Sequence, residues 1–474
     1  MTPSPPLAAA TSRRWLVICS LAIIVLSAAS LEGFIVPVLP RLQQDFAVTA
    51  AVGALATVIP TVVTVIITPI AGSLADVHGA ERTLGWLICI TACGGLLSAF
   101  APAFWAFIAG QALQGFALGI IPVGFVMLRG LLPPDGVRTA SGVLIAMSVA
   151  GAGFGVLLAG PILEASSRAA LYGVPTALVS IGAIGAFAAR RRGRREARHA
   201  ARLDWRGAAL LSTTLLLLVA TLTSSSAGGW FSPLTLTLLV LTAAAGTVWV
   251  RVESRVPTPM VDVTALRSRS VGGAVLVGVA IGGGYASLVF LVPQFIAQPP
   301  SSGFGWGASP SQTSAMLAAA YGAGIAASLA MGPLSRPLGV RGPATLALLL
   351  MACGALTGIL APTPAGIATS LILAGIGAGA ASTVVFASAA AGAAADQVGV
   401  STALITISRA IGGALATQTV AGIISTTPPA LADFRLGFLV AASVSLAGAV
   451  TAALLLSRGA PGTPAPIVDP AQVV

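Results

Sequence analysis

Long apolar runs separated by short polar breaks repeat along the whole chain. A bilayer core is crossed by roughly 20 apolar residues in a helix. Read against that length, the runs fall at about 15–40, 51–74, 83–101, 104–128, 139–163, 169–189, 207–225, 232–250, 271–297, 312–332, 344–361, 365–392, 401–424 and 434–457. The pattern predicts an all-α polytopic membrane protein with about 14 transmembrane helices. The first run has Arg13 and Arg14 at its start, as a signal peptide would. It is too long for one, and the later runs favour an uncleaved first span.

Composition agrees with the pattern. Of 474 residues, 56% are hydrophobic and 8% charged, with a mean hydropathy of +0.98. Too little polar surface exists to cover a soluble core of this size. The four cysteines, Cys19, Cys89, Cys93 and Cys353, all lie in apolar runs, without the spacing of a metal site or a disulfide framework. His78 and His199 lie in polar loops. No metal, cofactor or catalytic constellation is expected, so an enzyme is not.

The formal charge is +11, and every basic residue is arginine. Nucleic-acid binding is one source of such a surplus, but its placement points to topology. With the N-terminus inside, the cytoplasmic side holds Arg13, Arg14, Arg82, Arg129, Arg138, the cluster from Arg190 to Arg206, Arg251, Arg255, Arg267, Arg269, Arg336, Arg341 and Arg458. The outside keeps Arg41, Arg168 and Arg435. This asymmetry follows the positive-inside rule and predicts both termini in the cytoplasm.

Against this background Glu32 stands out. Seventeen uncharged residues precede it within its run and eight follow. An acid at mid-span costs about 2.5–3.5 kcal/mol on insertion scales, and such residues mark watery cavities and proton pathways. The competing reading is a protonated acid that only packs helices. Arg409 is the second charge inside a span, about two turns into the thirteenth run. It either snorkels to the interface or faces a cavity, where it would hold an anionic group or switch against Glu32. Gln43, Gln44 and Gln294 fall near the predicted outer ends. Tyr285, Phe290 and Tyr321 are candidates for an apolar lining, with core packing as the alternative.

The chain also repeats itself at an offset of 260 residues. Gly72-Ser73-Leu74-Ala75-Asp76-Val77-His78-Gly79 aligns with Gly332-Pro333-Leu334-Ser335-Arg336-Pro337-Leu338-Gly339. The same offset pairs Gly115 with Gly375, Gly119 with Gly379, and Ser141, Leu144, Ile145, Ser148 and Gly153 with Ser401, Leu404, Ile405, Ser408 and Gly413. Parallel repeats of this kind describe transporters whose two bundles rock about a central site. The expected domains are a six-helix bundle at 1–189, a segment at 190–270 with basic linkers and two inserted helices, a second six-helix bundle at 271–458, and a disordered tail at 459–474.

These residues resemble the major facilitator superfamily, in particular its fourteen-span drug:proton antiporter branch. Leu31-Glu32-Gly33-Phe34-Ile35-Val36-Pro37-Val38-Leu39-Pro40 is similar to the first-span pattern of that branch, with Glu32 in place of an aspartate. Gly72, Asp76, Gly79 and Arg82 resemble the family's gating loop. Gly151, Gly155, Gly160 and Pro161 resemble the fifth-span antiporter motif. Leu203-Asp204-Trp205-Arg206-Gly207-Ala208 resembles the entry to the seventh span. The chain departs from the family pattern in three places. Val77, Ala80 and Glu81 replace basic loop residues. Gln111, followed by Gln114 and Gly115, stands where the fourth span is expected to carry an arginine. Glu164-Ala165 replaces a glycine pair.

The resemblance implies proton-coupled efflux of small amphipathic molecules by alternating access, with Glu32 and Arg409 as coupling candidates. It implies a monomer in a plasma membrane, with protons, a small-molecule substrate and lipid as partners and no nucleic acid. An exporter of one metabolite or lipid is the alternative, and a non-transporting receptor with this fold a more distant one.

Overall fold

The computed structural model describes residues 7–132, 134–188, 205–229, 231–256, 269–392, 398–425 and 429–456. Residues 190–204, which hold most of the basic cluster, and the 459–474 tail lie outside the described residues. So does the Asp76 side chain. Among the described residues the secondary structure is helical throughout, in fifteen α-helices. Twelve stretches are long and apolar enough to cross a membrane, and Arg168–Ile184 is a shorter apolar helix. A helix satisfies its backbone polar groups internally, as lipid requires.

The helices gather into two compact units. The first comprises Met1–Leu216 and Gly307–Ala318, the second Leu217–Trp306 and Ala319–Val474. The first unit contains α1 (Leu7–Asp45), α2 (Ala50–His78), α3 (Ala80–Phe100), α4 (Phe104–Gln114), α5 (Ile120–Leu131), α6 (Pro134–Ala165) and α7 (Arg168–Ala188). It also takes the start of α8 (Trp205–Gly228) and of α11 (Pro310–Leu338). The second contains the remainder of those two helices with α9 (Pro233–Glu253), α10 (Arg269–Ile296), α12 (Arg341–Leu360), α13 (Pro364–Gly392), α14 (Val398–Ile423) and α15 (Leu431–Leu455).

Glycines set the helix spacing. In the first unit α1 packs most extensively on α6. A Cβ at Gly151 would strike the Leu26 carbonyl oxygen, one at Gly155 that of Ser30, and one at Gly33 that of Ala152. In the second unit α10 packs on α14 in the same manner, with Gly282 flush against the Arg409 carbonyl and Gly412 against that of Val279. Backbones this close gain dispersion contacts that bulky side chains would prevent.

Two further contacts occur in the first unit and again within the second. A Cβ at Gly94 would meet Gly110 O, Leu113 Cβ and Gln114 N, and one at Gly354 would meet Ser370 O, Leu373 Cβ and Ala374 N. Gly115 abuts the Pro60 carbonyl and Gly375 that of Ala320. Every one of these pairs is separated by the sequence offset of 260. The turns at Gly79 (φ +93°) and Gly339 (φ +71°) share that offset and need glycine, because an L side chain is strained there.

The predicted fourth span is not a single regular helix. A 3₁₀ turn at Gly115–Gly119 joins α4 to α5. The Thr64 hydroxyl donates to the Gly115 carbonyl at 2.9 Å, supplying that acceptor with a partner from another helix at the point where the helix tightens. In the second unit α8 is joined to α9 by hydroxyl contacts, Thr221 to Thr242 and Ser224 to Thr235, each at 3.0 Å. The Gln418 amide of α14 reaches Thr223 at 3.4 Å. Most of α9 is exposed, including Leu234, Leu239 and Val240, as suits a helix facing lipid.

The glycine contacts yield a paired test. Gly155→Leu forces a side chain into the Ser30 backbone and should destabilise by about 1–3 kcal/mol. A clear fall in the melting temperature of the purified protein would record it. Gly153, with nothing within 4 Å of its added Cβ, should accept alanine with an unchanged or higher melting temperature.

Candidate functional site

The segment of α1 carrying Glu32 is fixed by α6. Gly151 and Gly155 seat the backbone at Leu26 and Ser30, and Gly33 seats Ala152 in return. Gly151, Gly155 and Glu32 are therefore neighbours in space. From Ile23 to Arg41, both exposed, Glu32 is the one intervening side chain of α1 that is exposed. It makes no hydrogen bond or ion pair among the described residues. Leu31, Phe34 and Ile35 around it are buried. The single open position at the middle of an otherwise packed span is thus an acid, and Pro37 and Pro40 follow within the same helix.

Gln111 and Gln114 serve a different purpose. Both are buried, and both amides donate to the Ser98 hydroxyl of α3, at 3.1 and 2.7 Å. Gln114 also donates to the Gly94 carbonyl at 3.3 Å. These contacts clamp α4 to α3 without charge. Gly115 packs on α2 through Pro60 and Thr64. Gly72 makes an ordinary contact with Pro122, Gly79 forms the α2–α3 turn, and Arg82 is exposed beyond it.

Glu164, known from the sequence only as a departure from a pattern, is built into a joint in the first unit. The Ser311 amide donates to Glu164 Oε1 at 2.9 Å, and the Ser311 hydroxyl donates to Oε2. One turn earlier the Gly160 amide donates to the Ser314 hydroxyl at 2.9 Å, and a Cβ at Gly160 would strike the Pro310 carbonyl. Glu164 thus caps the α11 N-terminus, where a carboxylate satisfies free amides and the helix dipole. Pro161 sits between the two contacts and is exposed. An acid one turn past a glycine, together with a Pro-Ser helix start elsewhere, was the only signal available.

The second unit holds a separate polar cluster. Arg409 lies eleven residues into α14, about three turns rather than the two predicted, because the helix begins at Val398. Its Nε is buried with no hydrogen-bond partner among the described residues, and its guanidinium lies 5.8 Å from the Phe386 ring centroid. Tyr285 and Tyr321 stand within electrostatic reach of it. Their rings meet edge to face at 6.0 Å. Of the remaining candidates, Gln43, Gln294 and Phe290 are buried and Gln44 is exposed.

The described helices, twelve of them long and apolar enough to cross a membrane, are those of a polytopic membrane protein. Residues 21–417 match the Major Facilitator Superfamily, and the chain belongs to that family. Its family, and the fold it shares with solved transporters, point to a transporter rather than an enzyme. Among curated relatives, a bacillibactin exporter of Bacillus subtilis (strain 168) is 30% identical over 117 residues, 23% of this chain and 29% of that protein. A multi-drug resistance efflux pump PmrA homolog of Lactococcus lactis subsp. lactis (strain IL1403) is 28% identical over 158 residues, 32% and 38% of the two chains. The matches thus span less than two fifths of those relatives. A solved peptide transporter in complex with sulfate superposes with a TM-score of 0.65 at 17% identity, covering 94% of this chain and 96% of its own. A nucleoside transporter gives 0.65 at 11% identity, covering 93% and 100%.

The Glu164 joint can be tested directly. Glu164→Ala should leave the Ser311 amide without its acceptor and cost about 1 kcal/mol, the usual size of a cap. Hydrogen exchange at the start of α11 should quicken, and Ser311→Ala should give part of the same effect.

Proposed function

We propose that the chain is a proton-coupled exporter of small amphipathic molecules, of the fourteen-span drug:proton antiporter branch, working by alternating access. The observation that carries this reading is the lone exposed acid at the middle of α1, held in place by α6. Glu32 takes a proton from outside, releases it inside, and its change of charge favours one conformation or the other. Each proton entering down the membrane potential gains about 2.3 kcal/mol per 100 mV. The relatives named as exporter and efflux pump favour the outward direction for substrate.

In this reading the helices form two six-helix halves, at 1–189 and 271–458, with α8 and α9 inserted between them in sequence. Supporting it are the glycine contacts that recur at an offset of 260 and the two glycine turns at Gly79 and Gly339. Arginine placement supports cytoplasmic termini in a plasma membrane, and the protein is taken as a monomer. Gly72, Asp76, Gly79 and Arg82 form the inner gate, with Asp76 as its acceptor. Because Gln111 and Gln114 are neutral and engaged by Ser98, Glu32 titrates without an arginine from the fourth span. Arg409 supplies a second charge, in the other half.

Glu32→Gln should abolish export driven by an imposed pH gradient in proteoliposomes, while expression, membrane insertion and melting temperature hold. Full export by that variant with an unchanged pH dependence would refute the coupling role.

A further inference from the structure

We infer that Arg409, Tyr285, Tyr321 and Phe386 form a recognition site for an aromatic carboxylate, so that the transported molecules include planar organic anions. The inference rests on reading the chain as an exporter and narrows its substrate class.

The four side chains come from four helices of the second unit, α14, α10, α11 and α13, and converge without any motif to link them. Arg409 is a permanent cation about three turns inside an apolar helix. An arginine so placed is costly unless an anion meets it. No described acid forms an ion pair with it, and its Nε has no hydrogen-bond partner among the described residues. An anion that comes and goes would supply the counter-charge that no described acid gives. A guanidinium presents its donors as a planar fork that matches a carboxylate in two parallel bonds.

The surroundings favour an aromatic body on that anion. Phe386 lies under the guanidinium. Tyr285 and Tyr321, whose rings meet edge to face, offer two walls set at 68° to each other. A flat ring meets such walls by offset or edge contacts, and a phenol donates to a carboxylate oxygen. A bare inorganic anion would use the fork and leave the three rings unexploited. The backbone beneath is firm, because Gly282 of α10 rests on the Arg409 carbonyl.

The test is equilibrium binding to the purified full-length protein in detergent, with 2-naphthoate, its neutral isostere 2-naphthamide, tetraphenylphosphonium and inorganic phosphate as probes. Binding needs no gradient, so its outcome is read independently of proton coupling. Wild-type protein should bind naphthoate in preference to the other three. Arg409→Gln should weaken naphthoate by about tenfold or more, the worth of a charge-assisted contact, and leave the weak binding of naphthamide unchanged. Arg409→Lys should recover part of the loss, and Tyr285→Phe should show a smaller one. Equal binding of naphthoate and naphthamide by the wild type would overturn the inference without any variant. So would a preference for the phosphonium or for phosphate. Unchanged naphthoate affinity in a folded Arg409→Gln protein would overturn it as well.

Discussion

Backbone lying directly on backbone is the contact from which the rest of this molecule follows. Lipid removes the hydrophobic force that drives helices together in water, so close packing and a few polar contacts must hold them. Here Gly33, Gly151 and Gly155 bring α1 onto α6, and Gly282 and Gly412 bring α10 onto α14. Each pair carries one of the two charges that lie deep in apolar helices. Glu32 follows two residues after Ser30, whose carbonyl meets Gly155, and Arg409 itself supplies the carbonyl that meets Gly282. The same contacts that bind the helices therefore fix where the charges sit along them.

The two charges have unlike surroundings. Glu32 is the open position of a packed helix and has no polar partner among the described residues. Arg409 is enclosed by rings and hydroxyls from three other helices. A carboxyl can change its charge by taking or losing a proton. A guanidinium stays charged and instead selects what approaches it. In the proposed cycle this division gives one residue the driving ion and the other the cargo.

Much of this was legible from residue order, because lipid imposes simple rules. Apolar run length located the helices closely, and Glu32 was conspicuous as an acid among seventeen uncharged predecessors. The 260-residue offset was visible in glycines because glycine positions are dictated by backbone contact. The Arg409 cluster was not legible. Its members are scattered over four helices, and no spacing rule links Tyr285 with Phe386. The helix α14 starts at Val398, three residues before the apolar run, directly after the polar pair Asp396-Gln397, so Arg409 lies one turn deeper in it than the run implies. The Glu164 cap was hidden because its partner Ser311 lies 147 residues away. The break between α4 and α5 depends on a threonine from α2, which no local pattern shows.

The amide clamp between α3 and α4 has a consequence beyond packing. Gln111, Gln114 and Ser98 hold their helices through dipoles alone, and none of the three changes charge at any pH a cell meets. A clamp built from arginine and carboxylate would slacken with acid or with salt. This frame is blind to both, so acidification on one side of the membrane leaves the α3–α4 pair as rigid as before. The chemical signal then reaches the fold through the residue that can receive it, against a background that does not drift.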